Sequence, residues 1–489
     1  MAISELDLAI DKTMAALTQP GQMLELDTIN KFGVDMPVFK NAPQNVADYL
    51  AYFSHQNADK EFLVDGDIRL TFGETYAAAR VLAGGLVEGY GVQKGDRIGI
   101  AARNSANWII LDMAITIAGG VSTKLNGWWQ GDELADGIED VGCRYVFADY
   151  QRAQRLVESK RNHGAELLVF EHDKLPLEGL KVMLEKGGGA ETPMPQIGPE
   201  DNATILFTSG STGRSKGAYA EHRSVVQGAM SYVGTVLVLV QMMTAAGTMP
   251  EGQPTAMVCV PLFHVTASVP LVLVSYAIGR KLVFLNKWDA EEAMRLIEKE
   301  RVTYFVGVPL MMEIYSHPHF DKYDLSSCVT MAAGGAPRPV EHVRRIKEKM
   351  GDGFPVIGYG LTETNGVGCS NQNENYLAKP ESTIIRGGEN ISCQEVEAAV
   401  YANPAVAEAC IFGVPDERFG EVPALVYHIK EGHSLTDEEL LETLKHQLAP
   451  YKMPVHVWQY DEPLPKLGTA KIAKIVLAKK HRDELAATG

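Results

Sequence analysis

Short apolar runs rich in β-branched and aromatic residues alternate with helical patterns along most of this chain, and this alternation restricts the fold more than any other feature. Runs of four to eight such residues are typical of strands, and strands that are apolar throughout are buried on both faces. Strands that alternate with helices build parallel sheets covered on both sides. The sequence therefore predicts an α/β fold, with strands at RIGIAA (97–102), YVFAD (145–149), ELLVF (166–170), TILFT (204–208), AMVCVP (256–261), KLVFL (281–285) and TYFVGVP (303–309).

The length of 489 residues is too great for one hydrophobic core and predicts two or more packed units. Near the C-terminus, Thr436 and Glu439 have the spacing of a capping box, and leucines at helical spacing follow them. Two apolar runs precede this helix, ACIFGVP (409–415) and PALVYHI (423–429). We expect a large N-terminal body over 1–380 and a small α+β lid over 381–489.

Local signals place one further helix and one linker. Asp289 can cap a helix over 289–300, and Glu292 has the spacing to reach back and close a capping box. The run KGGGAETPMPQIGPED (186–201) is rich in Gly and Pro and is interpreted as a linker.

Residues 224–250 contain no Asp, Glu, Lys or Arg, so the segment has to be tested as a membrane span. Gln227, Ser231, Gln241 and Thr244 interrupt it, which favours a buried helix of a large core over a span. Peripheral contact with a membrane remains an open expectation.

Charge excludes one class of partner. The chain has 45 basic and 62 acidic residues and a net charge of −17, with no basic patch. Nucleic-acid binding depends on such patches, so nucleic acid is not expected as the main partner. A small phosphate-bearing ligand remains compatible, because backbone amides and one or two lysines can meet its charge.

The six cysteines stand far apart, without a C-x-x-C pair or a neighbouring histidine cluster. This spacing predicts neither a zinc site nor a disulfide framework, and it suits a reducing compartment. The first residues, MAISELDLAIDK, lack the basic and apolar regions of a signal peptide. We therefore expect a cytoplasmic location.

The segment TILFTSGSTGRSKGA (204–218) carries the strongest chemical signal. An apolar strand leads directly into a loop of three glycines, four hydroxyl residues and Lys216. Glycines let backbone amides turn inward, and hydroxyls and an ammonium can bind phosphate oxygens. A flexible surface loop would explain the composition but not the strand before it. The loop is not a Walker A motif, because Ser215 stands where that motif needs glycine.

Together with eight other segments in matching order, this loop resembles the adenylate-forming superfamily, which includes acyl-CoA synthetases, luciferases and adenylation domains of peptide synthetases. The matching segments cover most of the chain. They are TKLNGWW (123–129), PLFH (261–264), VPLMM (308–312), AGGAP (333–337), YGLTET (359–364), GGENIS (387–392), VPDERFGE (414–421) and LPKLGTAKI (464–472).

The resemblance implies a reaction in two halves. A carboxylate attacks the α-phosphate of ATP to give an acyl-adenylate and pyrophosphate, and a thiol, usually that of coenzyme A, then displaces AMP. Mg²⁺ is the implied cofactor, bound by Glu363, with Thr362 beside it in the catalytic set. The residues implied to hold the β- and γ-phosphates are Thr208, Ser209, Gly210, Ser211, Thr212, Gly213 and Lys216.

Other positions follow from the same resemblance. Lys471 matches a lysine that enters the active site only during adenylation, and His264 matches a residue lining the acid pocket. The residues implied to contact adenine or the acyl-adenylate are Gly334, Gly335, Ala336, Tyr359 and Gly360. We assign no chemistry to Trp128 and Trp129, which are expected to pack the body.

The sequence departs from the family pattern in three places. Ala470 and Cys393 stand where the family usually has glycine and proline, and Cys393 is interpreted as a small buried substitute. Only 22 residues, 365–386, separate Thr364 from Gly387, where the family has several dozen more. The missing stretch normally holds a β-rich subdomain, a ribose-binding TGD aspartate, an arginine and the hinge. Either the segment is deleted, or the sequence records only part of a longer protein.

The sequence is therefore interpreted as that of an ATP-dependent acid:CoA ligase. Two alternatives stay open: a degenerate homologue that binds nucleotide or acyl groups with little turnover, and an acyl-AMP ligase that loads a carrier protein. The run PLFHVTASVPLVLV (261–274) has no acidic or strongly basic residue, which favours an apolar acid, fatty or aryl. No pattern indicates an oligomeric state.

Overall fold

In the computed structural model, the described residues are 5–208, 215–307, 314, 317–334, 354–372, 383–386, 389–416, 418–466 and 472–488. Contacts within the chain divide it into two compact units. The large unit comprises 1–335 and 350–371, and the small unit consists chiefly of 372–489. The α/β class predicted from the alternation of strands and helices is confirmed.

The described helices, with labels used below, are α1 (Glu5–Leu17), α2 (Val46–Gln56), α3 (Phe72–Gly84), α4 (Ala106–Ile117), α5 (Gly131–Val141), α6 (Tyr150–Ser159), α7 (Pro176–Gly179), α8 (His222–Ala246), α9 (Val265–Ala267), α10 (Val274–Ile278), α11 (Ala290–Glu300), α12 (Cys393–Tyr401), α13 (Asp437–Lys445) and α14 (Lys474–Thr488). Short π-helical segments are at Gly85–Gly89 and Ser268–Leu273, and 3₁₀ turns are at Lys181–Leu184, Phe320–Lys322, Thr362–Thr364 and Pro450–Lys452.

The described strands are β1 (Leu26–Lys31), β2 (Val34–Phe39), β3 (Glu61–Asp65), β4 (Ile68–Thr71), β5 (Arg97–Ala101), β6 (Val121–Lys124), β7 (Tyr145–Asp149), β8 (Glu166–Phe170), β9 (Asn202–Phe207), β10 (Gly217–Glu221), β11 (Thr255–Val258), β12 (Lys281–Phe284), β13 (Tyr304–Gly307), β14 (Thr330–Gly334), β15 (Phe354–Gly360), β16 (Gly368–Gln372), β17 (Thr383–Arg386), β18 (Glu389–Ser392), β19 (Val406–Asp416), β20 (Gly420–Ile429) and β21 (His456–Tyr460).

Two sheets form the large unit besides the β1–β2 hairpin. One has the order β10-β9-β6-β5-β7-β8 and is parallel except where β10 returns antiparallel to β9. The other has the order β16-β15-β14-β13-β11-β12-β3-β4, with parallel pairing from β15 through β3. All seven runs predicted as strands contain a strand. Because the carboxyl ends of parallel strands meet at one edge, the segments after β11, β13, β14 and β15 leave the second sheet on the same side.

The charge-free segment forms α8, which packs against α1, α2, β9 and β10. It is the one helix in the described part of the chain that is long and apolar enough to cross a membrane, and 44% of its most apolar window is buried. The expected core helix is thus only partly enclosed, because its last three turns include exposed residues such as Val240 and Gln241.

Two local predictions need correction. Asp289 caps α11 by accepting a hydrogen bond from the Glu292 amide at 2.8 Å, but the Glu292 carboxylate binds Arg295 at 2.6 Å instead of closing a capping box. Residues 186–201 do not link two units, because they lie within the large unit and pack on α3. A Cβ added to Gly84 would overlap the backbone of Gly189, so this contact requires glycine.

The small unit contains one sheet, in which β17 pairs with β18 and β20, and β20 pairs with β19 and β21. The predicted capping box is confirmed, since Thr436 and Glu439 exchange hydrogen bonds of 2.9 and 3.2 Å at the start of α13. Apolar clusters cover both faces of the sheet, and Cys393 is fully buried in one of them, as expected. Ten residues, 373–382, join β16 of the large unit to β17. They are too few for a subdomain of several dozen residues.

A buried carboxylate ties the end of α11 to the second sheet. Glu300, whose side chain is 4% exposed, accepts two hydrogen bonds of 2.9 Å from Arg69 on β4 and one of 2.9 Å from Lys281 on β12. These cations hold the pKa of Glu300 at about 2, with the Arg69 contact as the main cause and burial opposing it. Since the ordinary value is 4.5, the network stabilises the fold above that pH and loses this contribution as the pH falls toward 2.

We expect Glu300→Gln to lower the free energy of unfolding by about 2–3 kcal/mol at pH 7, because it removes the buried carboxylate that Arg69 and Lys281 share and leaves Glu61 to pair with both. The difference between wild type and variant should shrink as the pH falls from about 4.5 to 2. Urea titrations at several pH values measure it, with the exposed Glu178→Gln as control. A difference that does not change with pH would contradict the assignment.

Candidate active site

The ends of β9 and β10 fix the base of the predicted phosphate loop. The Thr208 amide donates to the Lys216 carbonyl oxygen at 2.9 Å, and the Lys216 amide donates to the Thr208 hydroxyl oxygen at 3.4 Å. The hairpin thus holds Thr208 and Lys216 together where the strands part. The other five predicted phosphate-binding residues, Ser209 to Gly213, lie outside the described residues.

A tight turn follows β15 and carries Glu363. Its 3₁₀ segment, Thr362–Thr364, is closed by the Gly366 amide, which donates to the Leu361 carbonyl oxygen at 2.9 Å. The Thr364 hydroxyl donates to the Val367 carbonyl oxygen at 2.6 Å. These hydrogen bonds close the turn internally, and Glu363 is exposed on it.

This turn depends on a close backbone contact. A Cβ on Gly360 would overlap the carbonyl oxygen of Gly366, so the strand end and the returning chain fit only because residue 360 is glycine. Asn365 and Gly366 have φ of 54° and 78°, in the left-handed region. The Asn-Gly pair thus supplies the reversal that places Glu363 between two strands.

Helix α8 supports the turn from the side. The Tyr232 hydroxyl donates to the Gly366 carbonyl oxygen, and burial raises the pKa of Tyr232 to about 12. A Cβ on Gly228 would lie 3.0 Å from the Cβ of Asn365, whose side chain is buried and whose Oδ1 has no hydrogen-bond partner. The sequence did not predict a role for Gly228, Tyr232 or Asn365. Asn-Gly at 365–366 was a usable turn signal, whereas nothing marks Tyr232 within its apolar helix.

The phosphate hairpin and the Glu363 turn are neighbours, since β10 contacts the 3₁₀ segment Thr362–Thr364 within the large unit. At the same end of the second sheet, Gly334 pairs with Gly358, and Tyr359 is 65% exposed. An exposed ring at a strand end is able to stack on a flat base. Thr208, Lys216, Glu363 and Tyr359 therefore belong to strand ends of one unit.

The segment after β11 carries His264, which caps α9. Its Nδ1 accepts a hydrogen bond from the Thr266 amide at 3.3 Å, and the side chain is exposed. Asn104 fixes this segment by accepting from the Leu262 amide at 2.9 Å and donating to the Val260 carbonyl oxygen at 2.8 Å.

The expectation that both Trp128 and Trp129 pack in the body is wrong for Trp128. It is 67% exposed and meets Phe263 edge-on at 5.3 Å, whereas Trp129, the next residue, points to the other side and packs on Phe207 at 5.0 Å. The exposed ring of Trp128 therefore lies next to the His264 segment.

The remaining predicted residues Gly335, Ala336 and Lys471 lie outside the described residues. Within the described ranges, no group of three or more His, Cys, Asp or Glu side chains could hold a metal by itself. That suits Mg²⁺, which usually binds one or two carboxylates together with substrate phosphates and water. Glu363 beside the predicted phosphate-binding hairpin fits such a site.

These features define a class: a two-sheet α/β body with the predicted phosphate-binding hairpin and a carboxylate turn at its strand ends, followed by a small α+β unit. The family model described as AMP-binding enzyme matches residues 50–397, and that of the AMP-binding enzyme C-terminal domain matches 395–471. The chain belongs to the AMP-binding enzyme family.

Curated relatives and solved structures agree with this assignment. The chain is 26% identical to the mitochondrial medium-chain acyl-CoA ligase ACSF2 of Danio rerio, covering 87% of this chain and 86% of the relative. It is 28% identical to a feruloyl-CoA synthase of Amycolatopsis, covering 84% and 93%. The fold matches a Mycobacterium tuberculosis fatty acyl CoA synthetase with a TM-score of 0.61 at 21% identity, covering 90% of this chain and 99% of that one.

The comparison also bears on the missing segment. The match to the Danio rerio ligase extends over 533 positions, which exceeds the 489 residues of this chain although only 87% of the chain takes part. That relative therefore carries residues at positions that are absent here.

A matched pair of glycines tests the turn. We expect Gly360→Ala to lower the free energy of unfolding by about 1–3 kcal/mol, because its Cβ would overlap the Gly366 carbonyl oxygen. Gly358→Ala, on the same strand, should change stability by less than about 0.5 kcal/mol, because a Cβ there meets nothing within 4 Å. Thermal unfolding without ligands measures both. Equal effects would refute the proposed close contact.

Proposed function

We propose that this protein activates a carboxylic acid with ATP and transfers the acyl group to coenzyme A. In the first step a carboxylate oxygen attacks the α-phosphorus, the bond to the β-phosphate breaks, and pyrophosphate leaves. In the second step the thiol sulfur attacks the acyl carbon, AMP leaves, and the thiol proton passes to solvent. The observation that carries the proposal is the contact between the Thr208–Lys216 hairpin and the Glu363 turn in a chain of this family.

Each residue has a physical role in this reaction. A carboxylate and a triphosphate repel each other, so catalysis requires positioning and local positive charge. The hairpin amides, the Thr208 hydroxyl and the Lys216 ammonium would bind the β- and γ-phosphates. Glu363 would hold Mg²⁺, which neutralises phosphate charge when bound, and Thr362 would contact the reacting phosphate. Tyr359 would stack on adenine beside the backbone of Gly334, Gly335, Ala336 and Gly360.

The acid is proposed to have a largely apolar body, aliphatic or aryl. The segment 261–274 supplies apolar side chains, and His264 stands where it begins. The medium-chain acyl-CoA ligase and the feruloyl-CoA synthase, named for an aliphatic and an aromatic acyl group, support this range.

One observation favours a second candidate, a homologue that binds nucleotide or acyl ligands with little turnover. The ten residues 373–382 leave no room for the segment that the family uses to chelate ribose and to hinge the lid. The retained hairpin, Glu363 and Lys471 favour turnover. Pyrophosphate release that needs both acid and MgATP decides for an enzyme, and exchange of free CoA for a carrier-protein thiol identifies the acceptor.

Glu363→Gln should lower kcat/KM for MgATP by about 10- to 100-fold, because it removes a charge-assisted ligand of the metal. The variant should also need more Mg²⁺ for half-maximal pyrophosphate release. The matched control is Glu251→Gln, an exposed glutamate in the loop after α8. If the dependence on Mg²⁺ stays the same in both variants, Glu363 does not hold the metal.

Lys471→Ala should lower the rate of acyl-AMP formation by at least about 10²-fold. The conversion of supplied acyl-AMP to the thioester should keep its wild-type rate. The reason is that an ammonium between carboxylate and α-phosphate acts only while charge shifts from one to the other. Single-turnover assays of each half-reaction measure this separation. Equal loss in both half-reactions would refute the role.

A further inference from the structure

A buried arginine lies next to the acid segment and has no part in the reaction described so far. Arg280 follows α10 and is 3% exposed. Its Nε donates to the Ser275 hydroxyl oxygen at 2.8 Å, and its Nη2 donates to the carbonyl oxygens of Leu271 and Pro270 at 2.8 and 3.3 Å. Its guanidinium also stacks on the ring of Tyr304, 4.6 Å from the centroid.

The hydrogen-bond acceptors of Arg280 among the described residues are all neutral. No carboxylate lies within 4 Å of it in the part of the chain that the structure describes, whereas the buried Arg152 pairs with Asp149 at 3.0 Å. Burial lowers the pKa of Arg280 to about 10. Backbone and hydroxyl acceptors occupy Nε and Nη2, and among the described residues no hydrogen bond involves Nη1. Buried charges are normally paired, so a buried guanidinium with only neutral partners among the described residues is suited to bind an anion.

The position of Arg280 connects it to the Glu363 turn. The Pro270 carbonyl oxygen accepts from Arg280, and the Cδ of Pro270 would lie 3.9 Å from a Cβ added to Gly366. The Tyr232 hydroxyl oxygen would lie 3.3 Å from the same Cβ. Burial is the main cause of the raised pKa of Tyr232, and the Tyr304 hydroxyl is close enough to add to it. Arg280, Tyr304 and Tyr232 thus form a polar group behind the apolar wall of 261–274.

We propose that Arg280 binds a carboxylate at the far end of the acid substrate, so that the preferred substrate is an apolar chain or ring with an acid group at each end. One carboxylate would react with ATP and the other would accept from the planar guanidinium, whose Nη1 makes no hydrogen bond to the described residues and suits a carboxylate. This inference rests on the proposed function and narrows its substrate class. The competing explanation is that Arg280 only caps carbonyls of the Ser268–Leu273 and α10 helical turns.

The test uses pairs of acids that differ only at the far end, such as hexanoic and adipic acid or octanoic and suberic acid, with the ω-hydroxy acids between them. The readout is kcat/KM for pyrophosphate release by the full chain. In the wild type, at least one diacid should exceed its monoacid by about 10- to 100-fold, the range for a hydrogen bond to a charged group. The ω-hydroxy acid should fall between the two.

Arg280→Met should remove or reverse that preference, because it exchanges the guanidinium for an apolar chain of similar length. Ser275→Ala, which removes one neutral hydrogen bond and no charge, should keep most of the preference. Equal kcat/KM for every pair in the wild type, or an equal fall for monoacid and diacid in a folded Arg280→Met, would overturn the proposal. If Arg280→Met does not fold, the wild-type comparison alone decides.

The test also separates this inference from the reaction on which it rests. If no acid releases pyrophosphate, the proposed reaction fails, and calorimetric binding of adipic against hexanoic acid without ATP still tests Arg280. Tighter binding of the diacid supports the anion site, and equal binding refutes it.

Discussion

The site depends on how closely the chain can return on itself after β15. The backbone of Gly366 occupies the space that a side chain at residue 360 would need, so the turn between them is as tight as the polypeptide allows. Hydrogen bonds within the turn close it, the Tyr232 hydroxyl of α8 donates to its Gly366 carbonyl oxygen, and its buried Asn365 packs against Gly228 of α8. These contacts fix the backbone of the turn on which the exposed side chain of Glu363 lies. The neighbouring hairpin brings Lys216 to the same end of the large unit, so two side chains of opposite charge lie at strand ends of separate sheets.

Much of this architecture follows from local sequence. Apolar runs predict the strands because a strand buried on both faces leaves no alternation to misread. The α13 capping box formed because its two partners are three residues apart and have no competitor. Glu292 has the same spacing, yet Arg295 lies one turn further along and offers a stronger, charge-assisted bond. Short-range rules therefore succeed where a group has one partner within reach and fail where it has two.

The site itself was only half predictable. The motifs identify Thr208, Lys216, Glu363 and Tyr359 because each sits in a recognisable loop or strand end. The residues that support them come from distant parts of the chain: Tyr232 reaches across 134 positions to Gly366. Arg280 has no local signal either, since only the folded chain shows that it lacks a carboxylate partner among the described residues. The absence of charge in 261–274 pointed to an apolar acid, and it could not show a guanidinium packed behind that segment.

The fluorescence of Trp128 should be more accessible to quenchers in solution than that of a buried tryptophan of this chain. Trp108 is 1% exposed in the core, whereas Trp128 is 67% exposed. The Trp128 ring contacts Phe263, the residue before His264. A water-soluble quencher therefore reaches the indole of Trp128 far more readily than that of Trp108. Because the exposed ring contacts Phe263, which precedes His264, its emission should report changes in this segment without an added label.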